Sequence, residues 1–130
     1  MRYLLDTHII MWALLDDSRI AGIKHIITDS TNSIYYSVVS SWEVEIKHLK
    51  NKDFRLSGQQ LCFLCDQNGL LNLSIQNKHV MELKDIINKE IKHNDPFDKM
   101  LLAQAISENM IFITHDHKFE GYDSKNLIII

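Results

Sequence analysis

Glycine, proline and cysteine are scarce in this chain of 130 residues, which contains four glycines, one proline and two cysteines. So few glycine and proline residues leave little room for long flexible linkers or disordered segments. Hydrophobic residues make up 45% of the chain and charged residues 24%, an ordinary balance for a globular protein. We therefore expect one domain over residues 1–130, long enough to bury most of its surface in a single core.

Cysteine clusters and long apolar runs, which mark zinc sites and membrane spans, are also missing. Cys62 and Cys65 form a lone C-x-x-C motif without the further ligands that a zinc site needs, so we expect both thiols in the core. The apolar N-terminal stretch is interrupted by Asp6 and His8 and lacks a small-residue cleavage site, which argues against a signal peptide and a membrane span. Because nothing in this pattern requires an oxidising compartment, we expect a cytoplasmic protein.

An excess of positive charge is absent as well, since the formal net charge at pH 7 is −3. This balance argues against a broad basic surface for nucleic acid, so any such contact must be local. One local concentration of basic residues is present, formed by Lys47, Lys50, Lys52 and Arg55. These residues could neutralise an RNA backbone at the rim of a cleft, or they could be a solvated helix end.

The apolar pattern predicts alternating strands and helices. Strands are predicted over Arg2–Leu5, Ser33–Val39, Leu70–Ile75, Met110–Thr114 and the final "NLIII". Helices are predicted over Thr7–Leu15, from Ser18 through Thr28, through "SSWEVEIKHLKN", and over Ser57–Asn68, Asn77–Ile87 and Pro96–Asn109. Such alternation predicts an α/β fold in which a mainly parallel central sheet lies between two layers of helices, a three-layer α/β/α sandwich.

Four acidic residues are predicted to lie at one edge of this sheet. Asp6 follows the first strand directly, and Asp116 lies two residues beyond the strand Met110–Thr114. Glu43 is one turn into the helix that leaves the second strand, and Asp98 is in the first turn of a crossover helix. A crossover helix runs antiparallel to its strands, so all four acids should meet beyond the carboxyl ends of the strands, where open parallel sheets bind ligands.

Carboxylates that meet in a cleft need a compensating charge. Two of them about 5 Å apart repel by roughly 3 kcal/mol at an effective dielectric constant near 20. Four cannot all stay ionised without compensation, and the usual compensation is a hard divalent cation such as Mg²⁺ or Mn²⁺. Such an ion activates a bound water and stabilises a leaving oxygen, so the four acids predict metal-assisted hydrolysis of a phosphodiester.

Individual acids also have structural alternatives. Asp95 could cap the helix that begins at the next residue, and Asp98 could complete a capping box there. Glu43 could pair with the lysine one turn further along its helix, and Asp116 could cap the turn after its strand. Asp6 has apolar flanks and no turn chemistry that calls for a carboxylate. One shared site explains the four acids together better than four separate structural roles do.

At these residues the sequence resembles the PIN-domain family, and especially the VapC-like toxins of bacterial toxin–antitoxin pairs. The matching segments are "YLLDTHIIMWALLDD", "SVVSSWEVEIK", "HNDPFDKMLLAQA" and "IFITHDHKF". Together with their spacing they cover nearly the whole chain. The resemblance implies a PIN-like fold and a Mg²⁺- or Mn²⁺-dependent endoribonuclease, usually dimeric and silenced by a cognate antitoxin. The subgroup that it resembles suggests an antitoxin of the Phd/YefM-like type.

The resemblance also implies roles for individual residues. It assigns the catalytic and metal-binding roles to Asp6, Glu43, Asp98 and Asp116. Asp95 is an extra acid of this subgroup, held as a helix cap or as a residue that supports the four acids. Thr7 and Thr114 resemble hydroxyl positions that could orient a metal-bound water. On this interpretation a metal-activated water attacks a phosphate of RNA and leaves a 5′-phosphate and a 3′-hydroxyl.

Histidines and aromatic residues near these motifs have less specific interpretations. Oxygen-rich metal sites seldom need imidazole, so we expect polar packing or solvent exposure for His8, His93, His115 and His117. Core packing or a dimer interface is expected for Trp42, Tyr35 and Tyr36, in preference to base stacking.

Other protein classes fit less well. A HAD-type phosphatase would have a second acid two residues after Asp6, where this chain has His8, and a response-regulator receiver would have an aspartate after the third strand, where "LLNLSIQ" has none. A non-catalytic PIN-like binding module and a PIN-domain RNA-processing nuclease without an antitoxin remain alternatives. The presence of all four acids argues against the first. A small antitoxin in the neighbouring reading frame would argue against the second.

Overall fold

Five parallel strands form the central sheet in the computed structural model, which describes residues 1–54, 56–88, 95–120, 122 and 126–130. Arg55 and His93, both considered above, lie outside the described residues. The strands are β1 (Arg2–Leu5), β2 (Ser33–Ser37), β3 (Leu71–Leu73), β4 (Ile111–Thr114) and β5 (Leu127–Ile129). Their order across the sheet is β3-β2-β1-β4-β5, and each neighbouring pair is parallel. The prediction of a mainly parallel sheet is confirmed.

Helices cover both faces of this sheet. They are α1 (Thr7–Leu14), α2 (Lys24–Thr28), α3 (Val38–Lys50), α4 (Gly58–Gln67), α5 (Asn77–Asn88) and α6 (Pro96–Glu108), together with the 3₁₀ helices Ser18–Ile23 and His117–Phe119. Among these helices, none is both long and apolar enough to cross a membrane. The arrangement is the expected α/β/α sandwich.

The central strand β1 is buried on both faces. Leu5 packs into a core cluster with residues of α1 and α4, whereas the adjacent Leu4 packs into a second cluster with residues of α5 and α6. Both leucines are completely buried. Successive side chains of a strand point to opposite faces, and a parallel sheet covered on both sides therefore reads as a continuous apolar run. That run ends at Asp6, where the chain leaves the sheet.

Several predicted elements start or end at other residues in the structure, and the strand predicted over Leu70–Ile75 spans only Leu71–Leu73. Two of these differences have a clear cause. The helix predicted to begin with Ser18 as its cap begins instead as a 3₁₀ helix, and its cap is Asp17, whose carboxylate accepts the backbone N–H of Arg19 at 2.9 Å. The strand predicted to reach Val39 ends at Ser37, because the Ser37 hydroxyl accepts the backbone N–H of Val39 and caps α3. In both cases the side chain that caps the helix determines where the helix begins.

Helix α3 exposes part of its apolar side. Trp42 is 54% exposed and packs edge to face on Phe97 of α6, with ring centroids 4.9 Å apart, so it is not a core residue. Leu49 is also exposed.

The two cysteines of α4 agree with the prediction of core thiols, because Cys65 is buried and Cys62 is partly buried against the same core cluster. Burial raises the pKa of the Cys65 thiol to about 12, as expected for an inert core thiol.

Candidate active site

A cavity of about 360 Å³ opens at the carboxyl edge of the sheet, and we call it the acidic cavity. It is lined by Asp6, His8, Glu43, Lys47, Asp95, Asp98, His115, Asp116 and His117. The structure thus brings the four predicted acids to one cavity from β1, α3, α6 and the segment after β4. The sheet topology explains this convergence, since β1 and β4 are hydrogen-bonded neighbours and α3 and α6 begin at the same edge.

Asp6 is the most firmly positioned of the four acids and is only 5% exposed. One carboxylate oxygen accepts the backbone N–H of Thr7 at 2.7 Å, and the other accepts the hydroxyl of Thr114 at 2.5 Å. Its backbone N–H donates to the carbonyl of Ile113 at 2.9 Å, which ties the end of β1 to β4. Asp6 is also the N-cap of α1, a structural role that the apolar flanks did not suggest.

Burial raises the pKa of Asp6 above its ordinary value. Hydrogen bonds from Thr114 and Thr7 and the nearby His8 act in the opposite direction, while the charge of Glu43 adds to the rise. The ionised form of Asp6 is therefore held where its charge is poorly solvated. A cation entering the acidic cavity would relieve that cost.

Glu43 is held by a chain of hydroxyl groups. It is 7% exposed, and its Oε1 accepts the hydroxyl of Thr7 at 2.8 Å. The Ser40 hydroxyl lies 2.9 Å from the same Thr7 oxygen. Because Thr7 has a single hydroxyl proton and donates it to Glu43, Ser40 must be the donor to Thr7. Our sequence reasoning missed Ser40, although its position three residues before Glu43 on one helix face was an available signal.

The second oxygen of Glu43, Oε2, lies 3.1 Å from Nζ of Lys47 one turn further along α3. The ion pair considered as an alternative is therefore present, but it lies at the acidic cavity and the Glu43 carboxylate is buried. Of the predicted basic residues that the structure describes, Lys47 lines the cavity, whereas Lys50 and Lys52 are exposed around the end of α3.

Thr114 links two of the acids. While it donates to Asp6, its hydroxyl oxygen accepts the backbone N–H of Asp116 at 3.0 Å. The Asp116 carboxylate accepts the backbone N–H of Lys118 at 2.9 Å and so caps the 3₁₀ helix that follows. The hydroxyl positions Thr7 and Thr114 therefore orient the carboxylates of Glu43 and Asp6 directly.

Asp95 and Asp98 lie together at the start of α6. The Asp95 carboxylate accepts the backbone N–H groups of Phe97 at 2.8 Å and Asp98 at 3.3 Å, which makes Asp95 the N-cap of the helix. Asp98 follows in the first turn, partly buried, and both residues line the acidic cavity. The capping interpretation of Asp95 thus fits its geometry.

Three histidines lie at the rim of the acidic cavity and are exposed, as expected: His8, His115 and His117. Nδ1 of His115 lies 2.7 Å from the carbonyl of Ile130, so this nitrogen carries the proton, and Nδ1 of His117 lies 2.6 Å from a carboxylate oxygen of Glu120. These contacts orient the rings from outside the acid cluster.

Comparison with known proteins decides the family. The family model of the PIN domain matches residues 3–125. The chain belongs to the PIN-domain family. Its fold is similar to that of VapBC2 from Rickettsia felis bound to a DNA fragment from their promoter, with a TM-score of 0.71 and 23% identity, over 100% of this chain and 98% of that one. The comparison with curated proteins found no significant match.

Two further structures have similar folds. VapBC-1 from nontypeable Haemophilus influenzae has a TM-score of 0.68 and 19% identity, over 91% of this chain and 89% of that one. A toxin–antitoxin complex from Klebsiella pneumoniae has a TM-score of 0.64 and 20% identity, over 97% and 95% of the two chains. The resemblance to the PIN-domain family is confirmed, and these structures share the fold of this chain.

The donor chemistry of this PIN domain's acidic cavity suits a hard divalent cation. Carboxylate oxygens are the ligands that Mg²⁺ and Mn²⁺ prefer. Within the described parts of the chain, no three His, Cys, Asp or Glu side chains lie close enough together to hold an ion directly. Mg²⁺ usually keeps several waters and takes only one or two carboxylates. The residues present therefore fit a cation that is held partly through water.

Proposed function

We propose that this PIN domain is a Mg²⁺- or Mn²⁺-dependent endoribonuclease, a VapC-like toxin that hydrolyses phosphodiester bonds of RNA and is inhibited by a cognate antitoxin. The observation that supports the proposal most strongly is the meeting of four carboxylates from four separate segments in one cavity. Its position at the carboxyl edge of a parallel sheet, where such sheets bind ligands, and its carboxylate oxygens, which Mg²⁺ and Mn²⁺ prefer, both support the proposal.

In this proposal Asp6, Glu43, Asp98 and Asp116 hold the cation. When bound, the divalent cation supplies an activated water and stabilises the leaving oxygen. Thr7 and Thr114 hold the carboxylates of Glu43 and Asp6 in fixed orientations through the hydroxyl bonds described above. Asp95 supports the site by capping α6, which carries Asp98.

Basic residues near α3 contact the RNA backbone in the proposal. Lys47 is positioned for this at the acidic cavity, where its ammonium group already pairs with a buried carboxylate. Lys50, Lys52 and Arg55 extend the positive charge along the chain. The short basic segment is consistent with the net charge of −3, because the contact with RNA is local.

A cognate antitoxin, of the Phd/YefM-like type, and a second copy of the chain are the proposed protein partners. The VapBC complexes with similar folds support an antitoxin partner. A small open reading frame beside the gene, whose product binds this protein and abolishes RNA cleavage, would distinguish a toxin from an RNA-processing nuclease.

A non-catalytic PIN-like binding module is the second candidate. The VapBC structures with similar folds contain a protein partner, and this observation is compatible with a binding role. The two candidates differ in whether the acids support cleavage, so one experiment separates them.

That experiment is cleavage of a structured RNA pool by purified protein with Mg²⁺ or Mn²⁺, and then with EDTA. Asp6→Asn is prepared in parallel, with Asp85→Asn, an exposed aspartate on α5, as the matched control. We expect metal-dependent cleavage by the wild type and Asp85→Asn but not by Asp6→Asn. Equal cleavage by Asp6→Asn would show a contaminating nuclease or a misassigned site, and no cleavage by any of the three would favour the binding module.

A further inference from the structure

A second cavity, of about 340 Å³, lies beside the acidic cavity, and His8 lines both. Its lining contains aromatic side chains, one amide and a single acid, whereas the acidic cavity is lined by several acids. The side chains that matter here are His8, Trp12, Arg19, Asn51, Asp53 and Phe54. Its volume lies at the lower end of the range typical of small-ligand sites, roughly 300–1,000 Å³.

Flat groups form much of this lining. The guanidinium carbon of Arg19 lies 4.3 Å from the ring centroid of Trp12, and the His8 ring centroid is 6.1 Å from the same ring. Aromatic rings and guanidinium planes are the groups on which proteins stack nucleobases. Trp12 itself is buried, with 8% of its surface exposed, so it supports the Arg19 guanidinium from below. The exposed Arg19 guanidinium and the exposed His8 ring are the surfaces that the cavity offers for stacking next to the proposed site of phosphodiester cleavage.

Arg19 is held in place before any ligand arrives. Its Nε and Nη2 donate to the two carboxylate oxygens of Asp17 at 3.0 and 2.7 Å, while Asp17 is itself fixed as the cap of the 3₁₀ helix Ser18–Ile23. The Arg19 side chain remains 54% exposed. A planar side chain that is oriented in this way loses little further freedom when a base stacks on it.

Lys47 lines the acidic cavity and lies near Phe54, which lines the second cavity. Its Nζ lies 3.1 Å from Oε2 of Glu43 in the acidic cavity and 6.0 Å from the ring centroid of Phe54 in the second. A positive charge at this boundary suits a phosphate group placed between the acids and the aromatic lining. A nucleotide bound at this boundary would have its phosphate towards the acids and its base in the second cavity.

We propose that this second cavity is a base pocket, which binds the nucleobase adjoining the scissile phosphate of RNA. The inference rests on the proposed function. Two polar side chains of the pocket can form hydrogen bonds with the edge of the base. Because Oδ1 of Asn51 already accepts the backbone N–H of Asp53 at 3.0 Å, the Asn51 amide NH₂ group would be the donor to the base. The Asp53 carboxylate would be an acceptor. The pocket thus gives the nuclease a preference for the base beside the bond that it cuts.

The test uses an RNA oligonucleotide containing a cleavage site mapped with the wild-type protein, and a second oligonucleotide that lacks the base adjoining that site. Arg19→Ala should lower kcat/KM on the intact RNA by about tenfold or more. Arg19→Lys should not restore it, because lysine keeps the charge but not the plane. On the abasic RNA the difference between the wild type and Arg19→Ala should disappear.

Lys24→Ala is the matched control, because Lys24 is another exposed cation paired with an aspartate, Asp16, at 3.1 Å. It should cleave both RNAs as the wild type does. Thermal denaturation checks that Arg19→Ala is folded. Normal cleavage of the intact RNA by Arg19→Ala, full rescue by Arg19→Lys, or an equal loss on the abasic RNA would each overturn the base pocket.

Two other outcomes separate this inference from the proposed function. If Arg19→Ala cleaves intact RNA normally but no longer binds the antitoxin, the pocket takes a peptide side chain and the inference is wrong, while the proposed function stands. If the wild-type protein cleaves no RNA, the proposed function fails and the base pocket fails with it.

Discussion

Helix α6 carries one carboxylate at each end, and the two differ in their surroundings. Asp98, in the first turn, lines the acidic cavity, whereas Glu108, the last residue of α6, belongs to a polar network between α5 and α6. In that network the two carboxylate oxygens of Glu108 lie 2.8 and 3.1 Å from Nζ of Lys78. Its neighbour His79 is fully buried, with Nε2 3.8 Å from Glu108.

The pKa values of the two regions move in opposite directions. The hydrogen bond from Lys78 holds the pKa of Glu108 below its ordinary value, so this carboxylate is stable as an anion. Burial raises the pKa of Asp6 in the acidic cavity, where its direct partners are an N–H group and a hydroxyl. Both carboxylate oxygens of Glu108 meet a lysine, so its charge is already compensated, whereas buried Asp6 is bonded only to neutral donors and is a candidate for binding a cation. Glu43 is intermediate, because only its Oε2 pairs with a lysine.

The largest expected effect compares the two ends of α6 directly. Asp98→Asn should lower RNA cleavage by about 10³-fold or more, since a weakened metal site loses several kcal/mol of transition-state stabilisation. Glu108→Gln should leave cleavage unchanged within about twofold, as expected of a group outside the reaction. Steady-state kinetics on one RNA measure both, and equal losses in the two variants would remove the distinction between the regions.

Thr114 tests how strongly the acidic cavity depends on its hydroxyl groups. Thr114→Val leaves the buried Oδ2 of Asp6 and the N–H of Asp116 without their hydroxyl partner, so the free energy of unfolding should fall by about 1–3 kcal/mol. Thr114→Ser keeps the hydroxyl and should recover most of that loss. Chemical denaturation in the absence of divalent cations measures both variants, and equal stability of Thr114→Val and the wild type would contradict the account.

His79 tests the polar network by its pH dependence. Burial lowers the pKa of His79 below its ordinary value of 6.5, against the attraction of Glu108, and Lys78 also lowers it. The unfolded chain then binds a proton more readily than the folded protein, so the stability present above pH 6.5 is lost as the pH falls through the folded pKa.

The variant His79→Gln should flatten this dependence. Nδ1 of His79 accepts the backbone N–H of Gln76 at 3.0 Å, a capping contact that a glutamine at the same position can keep. The free energy of unfolding, measured by denaturation at several pH values between 7 and 5, should depend less on pH for His79→Gln than for the wild type. The difference in slope corresponds to on the order of a fraction of a proton. Identical slopes would mean that His79 does not titrate differently on folding.

The smallest expected effect concerns the exposed lysines beyond the acidic cavity. Each phosphate contact contributes roughly 0.7 to the slope of log K against log salt for single-stranded nucleic acid. Lys50→Ala and Lys52→Ala should each reduce that slope by up to this amount when RNA binding is measured by fluorescence anisotropy in the Asp98→Asn background. Lys84→Ala, an exposed lysine on α5, should not change it. An unchanged slope in the first two variants would assign them to a solvated helix end.

Much of the fold and the placement of the acids could be predicted from the sequence because strong local signals agree. The apolar run Tyr3–Leu5 ends abruptly at Asp6, and Pro96 follows a good capping residue, so both acidic segments are tied to clear element boundaries. The order of the parallel strands then places these boundaries at one edge.

Features that depend on tertiary contacts could not be predicted in this way. The Ser40 hydroxyl reaches Glu43 through Thr7, a residue 33 positions away from it in the chain. The exposure of Trp42 depends on where α6 packs against α3, since the contact with Phe97 of α6 leaves the Trp42 side chain 54% exposed. Apolar periodicity identifies a helix face but not what covers it.

Calorimetric titration of Mn²⁺ into the wild type, Asp6→Asn and Glu108→Gln shows whether the acidic cavity binds a divalent cation. We expect binding by the wild type and by Glu108→Gln, and loss of binding in Asp6→Asn. Binding that is unchanged in Asp6→Asn, or lost in Glu108→Gln alone, would contradict a cation site in the acidic cavity.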